Sequence, residues 1–397
     1  MRTNIIFAIA AVLALMFAAC DNGLNPRSDE PEPAITWPAD LFAVRGQKLA
    51  DISLAAYTNG DTGTFTWDSP DDSIDPDSAL GAQPHSMTFT PTDTATYEVV
   101  KKNVNVRVSL ADMVRITGGT YTMGTPGNNA AEKQFQVTVS DFYLGKYEVT
   151  QAQWEEVTGM SIQDLQDRTT ANQTMRERSY GRGDDFAVYY VSWYDALIFC
   201  NQLSALEGLT PAYRIGGETD PDLWGDAPIN TDTAGQTKWN AVEIAADSNG
   251  YRLPDEMQWE YACRAGTTTP WYSAETDTDE DNPLADYAWY SVNNSGTYGD
   301  DTYGVKQSGT KKPNDFGLYD MHGNVFEWCW DRYATNPAVS DPYGLWWYTM
   351  GDNRNNRIAR GGNWNDTATN ARCAYRGSSY NNPYLRNTTT GFRIARP

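Results

Sequence analysis

The chain has 397 residues, enough for two or three domains, and its 14 Trp and 24 Tyr can fill a large core. Acidic residues outnumber basic ones by 52 to 30, which gives a formal net charge of −22. This balance argues against a nucleic-acid partner, because phosphate binding needs basic surface. It favours a soluble surface that repels its own copies.

The N-terminus predicts export and a lipid anchor. Arg2 precedes an apolar run over residues 5–17, which is short for a membrane span but typical of a signal peptide. The string "FAAC" resembles a bacterial lipobox, in which Cys20 becomes the lipidated first residue. We therefore predict a signal peptide at 1–19, a lipidated tether at 20–33, and attachment to the membrane at the outer-membrane cell surface. The alternative is an ordinary signal peptide with an incidental cysteine.

Residues 34–110 carry the pattern of short β-strands. The runs "TGTFTW", "SMTFTP" and "YEVVKKNVNVRVSL" alternate and are separated by Gly, Asp and Pro. They are similar to bacterial immunoglobulin-like stalk modules. We predict a small immunoglobulin-like β-sandwich here, with a role as a spacer.

Three helices are signalled in the main domain, which spans residues 113–397. Each has a capping box at its start. The capping residues are Thr150 with Gln153, Ser192 with Asp195, and Asp255 with Gln258. Gly266 is placed to end the third helix. We expect long loops at 158–189 and 210–250, and mostly short strands and turns after Gly266.

Six strings in this region resemble one family. In chain order they are "EVTQAQW", "VSWYDALIFCNQLS", "GYRLPDEMQWEYACRAG", "NDFGLYDMHGNVFEW", "RGGNW" and "GFRIAR". Together they resemble the formylglycine-generating-enzyme, or sulfatase-modifying-factor, domain. The resemblance implies an α+β fold of the C-type lectin type over residues 113–397. Function varies widely on such a fold, so the fold alone does not decide it.

The residues that carry the family's chemistry are missing. Aerobic members bind copper through a C-x4-C pair soon after the RGGS motif, and soft thiolates suit Cu(I). Here "RGGNWNDTATNARCAYR" contains only Cys373, which matches a later, structural position. Other relatives bind iron through histidines, but this chain has two His in all. We predict no catalysis and no catalytic cofactor. The alternatives are a catalytic oxidoreductase or chaperone-like member of the family, and a plain structural lipoprotein of the envelope.

The resemblance also implies a structural calcium site in "DMHGNVFE". Its ligands would be Asp320, the carbonyls of Gly323 and Val325, and Glu327. Calcium prefers six or more oxygen ligands, and two carboxylates around a Gly-containing turn can supply several of them. The alternative is a turn in which both carboxylates accept backbone N–H groups.

Four cysteines remain after Cys20, namely Cys200, Cys263, Cys329 and Cys373. Export permits disulfides, and the spacing leaves all three full pairings open. By resemblance, Cys263 and Cys373 match family positions that pair with each other. The alternative is two buried thiols.

A polar stretch precedes the closing strand that we predict at 391–396. Residues 365–390 contain no Trp, Lys, Gln, Glu or Met. This segment resembles the C-terminal variable region of proteins that diversity-generating retroelements rewrite. Such elements randomise the first two bases of AAC codons, which cannot yield those five residues. The alternative is an ordinary polar loop without a ligand.

We therefore predict a variable, ligand-binding region at about 360–393, with Arg376, Arg386 and the "GFR" motif as a constant frame. Its ligand would be an unidentified protein or glycan. Loops on a rigid scaffold commonly carry binding function. Trp346, Trp347 and Tyr348 are expected at its border, and the alternative is that these aromatic residues belong to the core. The predicted contact residues are Asn365, Asp366, Thr367, Gly377, Ser378, Ser379, Tyr380, Asn381, Asn382, Tyr384, Leu385, Thr388, Thr389 and Thr390.

Overall fold

The computed structural model describes most of the chain after the tether. The described residues are 34–39, 41–54, 63–127, 132–169, 179–229, 233–272, 283–294, 296, 303–333, 356–377 and 382–397. Cys20, the signal peptide and the tether lie outside these residues. No helix within them is long and apolar enough to cross a membrane.

The N-terminal region forms one four-stranded sheet. Its strands are β1 (Leu41–Val44), β2 (Gly63–Trp67), β3 (Gly81–Pro91) and β4 (Val100–Ser109). They lie in the order β1-β4-β3-β2, with β1 parallel to β4 and the other pairs antiparallel. The described part of residues 34–110 contains no second sheet, so the sandwich stays a prediction.

A buried carboxylate joins this sheet to the main domain. The Ser109 hydroxyl and the Leu110 amide each donate to Glu207 Oε1 at 3.0 Å. The Tyr251 hydroxyl donates to the other oxygen of Glu207 at 2.7 Å. Burial raises the pKa of Glu207 above its usual value. The end of β4 is therefore fixed against the domain that follows.

The main domain contains many short strands in small sheets. They are β5 (Met113–Ile116), β6 (Gly119–Met123), β7 (Phe135–Val139), β8 (Phe142–Gly145), β9 (Tyr213–Arg214), β10 (Glu243–Ile244), β11 (Ala288–Trp289), β12 (His322–Gly323), β13 (Phe326–Arg332), β14 (Arg357–Arg360), β15 (Thr390–Gly391) and β16 (Ala395–Arg396). Two three-stranded sheets, β14-β13-β15 and β16-β8-β5, contain the end of the chain. The closing strand is thus split between two sheets.

Among the described residues, five α-helices pack around these sheets. They are α1 (Gln151–Thr158), α2 (Ile162–Thr169), α3 (Trp193–Leu206), α4 (Thr233–Asn240) and α5 (Glu256–Arg264). The capping boxes predicted for α1, α3 and α5 are confirmed. Helix α5 ends at Ala265, which is left-handed with φ 42°, and Gly266 follows with φ 89°.

Helices α2 and α4 lie where we predicted loops, and that prediction is wrong. Both have eight residues, fewer than the stretch of 11 to 18 residues over which apolar periodicity is read. The start of α2 nevertheless carries a readable signal. The Ser161 amide donates to Asp164 Oδ2 at 2.8 Å, and the Asp164 amide donates to Ser161 Oγ at 3.2 Å. This is a capping box with Asp in the third position.

Aromatic side chains connect the C-terminal strand to the helices. The Trp154 ring of α1 stacks on Phe199 of α3 at 5.6 Å between centroids. Phe199 meets the edge of Phe392 at 5.3 Å, and all three side chains are buried. Aromatic pairs at these distances add stability beyond burial alone. The end of the chain is therefore part of the core.

Candidate functional site

The C-terminal segment begins and ends beside the same strand, β13. Strand β14 pairs antiparallel with one edge of β13, and β15 pairs parallel with the other edge. Glu327 of β13 lies opposite Arg360 at the start of the segment and opposite Gly391 at its end. Both ends of the segment are therefore fixed, and the residues between them form a closed loop on a rigid base.

Buried arginines bind the first half of this loop to helix α5. Arg360 donates to Glu256 at 2.9 Å and to Glu260 at 2.7 Å. Arg376 donates to both oxygens of Glu256 at 2.6 and 3.0 Å. Burial alone would raise the pKa of Glu256, but Arg376 and Arg360 outweigh it, so the pKa is lowered. Paired guanidinium and carboxylate groups in this geometry give strong, directional bonds.

The second half is held in the same way. Arg386 donates to the two oxygens of Asp195 at 2.7 and 2.8 Å. Asp195 also closes the capping box of α3, because the Ser192 amide donates to it at 2.9 Å. Arg393 pairs with Glu327 through two contacts of 2.6 Å. The frame predicted from Arg376, Arg386 and "GFR" is thus anchored on carboxylates.

Scaffold groups also bind the loop backbone directly. In residues 382–389, four carbonyls accept recorded hydrogen bonds from donors outside that stretch. The pairs are Trp193 N to Pro383 O (3.0 Å), Tyr190 N to Asn387 O (2.8 Å), Trp364 Nε1 to Thr388 O (2.9 Å) and Phe326 N to Thr389 O (2.8 Å). Backbone carbonyls are present whatever the side chain, so these bonds fix the path of the loop independently of its sequence.

Most described contact positions reach the surface. Asn365 and Thr367 are exposed. Six more are half-buried, namely Asp366, Asn382, Tyr384, Leu385, Thr388 and Thr389. Ser378, Ser379, Tyr380 and Asn381 lie outside the described residues, as do Trp346, Trp347 and Tyr348. Asp366 accepts side-chain bonds from Asn363 at 2.5 Å and Asn370 at 3.0 Å, so it partly serves its own turn.

Two predicted contact positions are buried, and the structure corrects them. Gly377 forms a bridge with Ala359, and an added Cβ would lie 3.1 Å from the Ala359 carbonyl and 3.2 Å from the Phe326 ring. Thr390 belongs to β15 and is 5% exposed. Neither residue presents a side chain to a ligand, because Gly377 has none and Thr390 is buried in the base of the loop.

The turn predicted to bind calcium is buried in the core. Asp320 is left-handed, with φ 55°, and accepts the Gly309 amide at 2.7 Å through Oδ2. Its Oδ1 is buried without a hydrogen-bond partner. Glu327, in contrast, accepts from Trp259 Nε1 at 2.6 Å as well as from Arg393. Asp320 therefore fits a cation, whereas the oxygens of Glu327 are already bound.

A third carboxylate, Glu148, increases the negative charge around this turn. It accepts the Val325 amide at 3.1 Å and the Asn324 side chain at 2.6 Å. Burial, and then the charges of Asp320 and Glu327, raise its pKa well above the usual value. Burial is also the main cause that raises the pKa of Asp320 to about 6. These three carboxylates share one guanidinium, that of Arg393.

The cysteines predicted to form a disulfide are brought together, but the bond is not present. Cys263 of α5 and Cys373 of the C-terminal segment are both buried free thiols. Their sulfurs and one ring nitrogen of His322 lie within 4.8 Å of one another. The alternative of two buried thiols describes the structure. Cys200 and Cys329 are also buried and free.

Comparison with known proteins identifies the family. The model of the sulfatase-modifying factor enzyme 1-like domain matches residues 96–397. The chain belongs to this family. The match begins at residue 96, just before β4, so it includes the whole strand that leads into the main domain. The family confirms the α+β fold of the C-type lectin type.

The proteins that are similar to this chain have names that indicate different functions. The chain is 34% identical to the chaperone protein LppX of Paenibacillus barcinonensis, over 67% of this chain and 83% of that protein. It is 26% identical to the mouse formylglycine-generating enzyme, over 72% and 76% of the two chains. Among solved structures, Treponema denticola variable protein 1 is similar with a TM-score of 0.57 and 27% identity. That similarity covers 79% of this chain and all of the other.

The Arg386–Asp195 pair gives a test of the frame. Both side chains are buried, with 4% of the Arg386 side chain and 3% of the Asp195 side chain exposed. Replacing Arg386 by Met should lower the free energy of unfolding by about 3–5 kcal/mol, because it leaves a buried carboxylate unpaired. Urea denaturation measures this loss.

The matched control is Arg214→Met, which removes the exposed pair with Glu243. Exposed pairs contribute about 0–1 kcal/mol. Equal, small losses for the two variants would show that Arg386 does not anchor the loop.

Proposed function

We propose that the protein is a non-catalytic, ligand-binding lipoprotein on the cell surface, and that its C-terminal loop is the binding surface. One observation carries the proposal. The backbone of residues 383–389 is bound by scaffold donors and by the Arg386–Asp195 pair, while Tyr384, Leu385, Thr388 and Thr389 remain partly exposed. Such a loop can change its side chains and keep its shape.

The composition of the loop supports binding. Its exposed and half-buried contact positions are Asn, Asp, Thr, Tyr and Leu. Tyr offers a large contact area with little conformational entropy to lose, and small polar side chains adapt their hydrogen bonds to a partner.

We further propose that a diversity-generating retroelement varies this loop. The missing Trp, Lys, Gln, Glu and Met support this, because they are the residues that randomised AAC codons cannot encode. The similarity to Treponema denticola variable protein 1, whose title names it as variable, also supports it. Variation would act on side chains whose neighbours in the frame remain constant.

Genomic DNA tests this proposal. We expect a near-copy of the segment that encodes residues 360–393 beside a reverse transcriptase gene. Its differences from the coding copy should fall at adenines and affect Asn365, Thr367, Tyr384, Leu385, Thr388 and Thr389, but not Arg376 or Arg386. A genome without such a copy would contradict the diversification.

The relative named chaperone protein LppX favours a second candidate, a chaperone-like role. In that case the C-terminal loop would be constant. The same DNA comparison separates the two, because only a diversified loop requires a template copy.

The lipid anchor is tested at Cys20. We expect Cys20→Ser to release the protein from the membrane fraction, because a lipobox cysteine carries the acyl chains that hold the protein there. Cell fractionation followed by immunoblotting measures the change, with Cys200→Ser as the control for loss of a cysteine elsewhere. Unchanged membrane association of Cys20→Ser would exclude a lipid anchor at this residue. Protease treatment of whole cells then tests display at the outer surface.

We also propose calcium at the Asp320 turn, with the unpartnered oxygen Oδ1 as a ligand. A divalent cation would offset the excess of buried carboxylates over Arg393. Glu327 would stay paired with that arginine, which differs from the ligand set implied by family resemblance.

Asp320→Asn tests the calcium proposal, because Asn tolerates the left-handed backbone and can accept the Gly309 amide. We expect calcium to raise the melting temperature of the wild type relative to chelator, and to have little effect on Asp320→Asn. Asp286→Asn is the control, since Asp286 is exposed and paired with Lys312. Identical melting temperatures of the wild type in calcium and in chelator would show that this turn does not bind calcium.

A further inference from the structure

A cluster of three metal-ligating side chains lies apart from the loop surface. Cys263 comes from α5, His322 from β12 and Cys373 from the C-terminal segment. One ligand atom of each lies within 4.8 Å of the others, and all three residues are at most 2% exposed. In the described residues this is the one such group found, and it contains no carboxylate.

The ring of His322 is oriented as metal-binding histidines usually are. Its Nδ1 lies 2.7 Å from the Ala371 carbonyl, which can only accept, so Nδ1 carries the proton. Nε2 therefore has its lone pair free of a proton and lies 3.9 Å from Cys263 Sγ. A backbone carbonyl that fixes the tautomer in this way is the typical outer partner of a ligating histidine.

Nε2 also accepts the Tyr272 amide at 3.2 Å. This distance is at the long end for an N–H donor. A metal ion bound to the Nε2 lone pair would replace the hydrogen bond from the Tyr272 amide. The Tyr272 amide would then have to move away from the ring.

The two sulfurs have different proton affinities. Burial raises the pKa of the Cys373 thiol, but hydrogen bonds with Cys263 and His322 outweigh burial and place the pKa well below its usual value. Burial and the bond to Cys373 raise the pKa of Cys263. The thiolate is the form of cysteine that binds metal.

We propose that Cys263, Cys373 and His322 bind one soft d10 metal ion, Zn²⁺ or Cu(I), when the cysteines are reduced. Thiolate and imidazole donors select such ions over calcium and magnesium. The Met321 carbonyl oxygen lies 3.6 Å from Cys263 Sγ and is a further oxygen close to the sulfur ligands. Because the site is buried, the ion would be structural and would join α5, β12 and the segment before Arg376.

A disulfide between Cys263 and Cys373 would exclude the metal, since it uses both sulfurs. The experiment therefore starts from reduced full-length protein without oxygen. Zn²⁺ and Cu(I) are titrated separately against a chromophoric chelator, and we expect one equivalent of the preferred ion to bind. X-ray absorption should then show two sulfur ligands and one nitrogen ligand, with Zn–S near ~2.3 Å and Zn–N near ~2.0 Å for zinc.

Cys373→Ala should lose this equivalent, and Cys200→Ala should keep it because Cys200 is a buried thiol outside the cluster. His322→Gln retains both cysteines and should either remove the nitrogen ligand from the X-ray absorption spectrum or abolish metal binding. This variant is the second test if Cys373→Ala does not fold. Circular dichroism verifies the fold of each variant. The proposal is overturned if the reduced wild type binds no more metal than Cys373→Ala, or if Cys200→Ala loses binding equally.

Discussion

Buried arginine–carboxylate pairs are the interaction on which the C-terminal half of the domain depends. Arg376 with Glu256, Arg386 with Asp195, and Arg393 with Glu327 are bidentate. Each charge has lost its contact with water, and that cost is recovered only while its partner stays in place. The pairs therefore act as fixed points. A loop attached at such points does not need apolar side chains of its own to stay ordered.

In this arrangement the backbone path of the C-terminal loop does not depend on the side chains that the loop carries. Scaffold donors bind the carbonyls of Asn387, Thr388 and Thr389, and a carbonyl is unchanged by substitution of its side chain. The scaffold also orders the loop before any ligand arrives, so binding costs less conformational entropy than it would for a mobile loop. A preordered backbone with replaceable side chains would suit the variable binding surface that we propose.

The sequence predicted features whose signals are local. The capping boxes at Thr150, Ser192 and Asp255 depend on residues three apart, and all three helices begin there. Thr233 and Gln236 at the start of α4 have the same spacing, a signal that the predicted loop at 210–250 does not take into account. Gly377 and Thr390 look like loop residues in sequence, but pairing with Ala359 and Phe326 buries them. Those partners lie far away in the chain, so composition alone could not place these two residues.

The cysteine–histidine cluster could not be predicted from the sequence for the same reason, since its residues lie far apart in the chain. The cluster also lies where the backbone has few strand hydrogen bonds. His322 is 59 residues from Cys263, and its role depends on the Ala371 carbonyl, which no sequence pattern marks. Among the described residues, 361–376 contain no strand pairing. This stretch is instead held by buried contacts, including Cys373 N to Pro270 O at 2.7 Å. A covalent or metal link from Cys373 to α5 would act where ladder bonds are missing. It would fix the stretch that leads into Arg376 and so support the arginine frame from within the core.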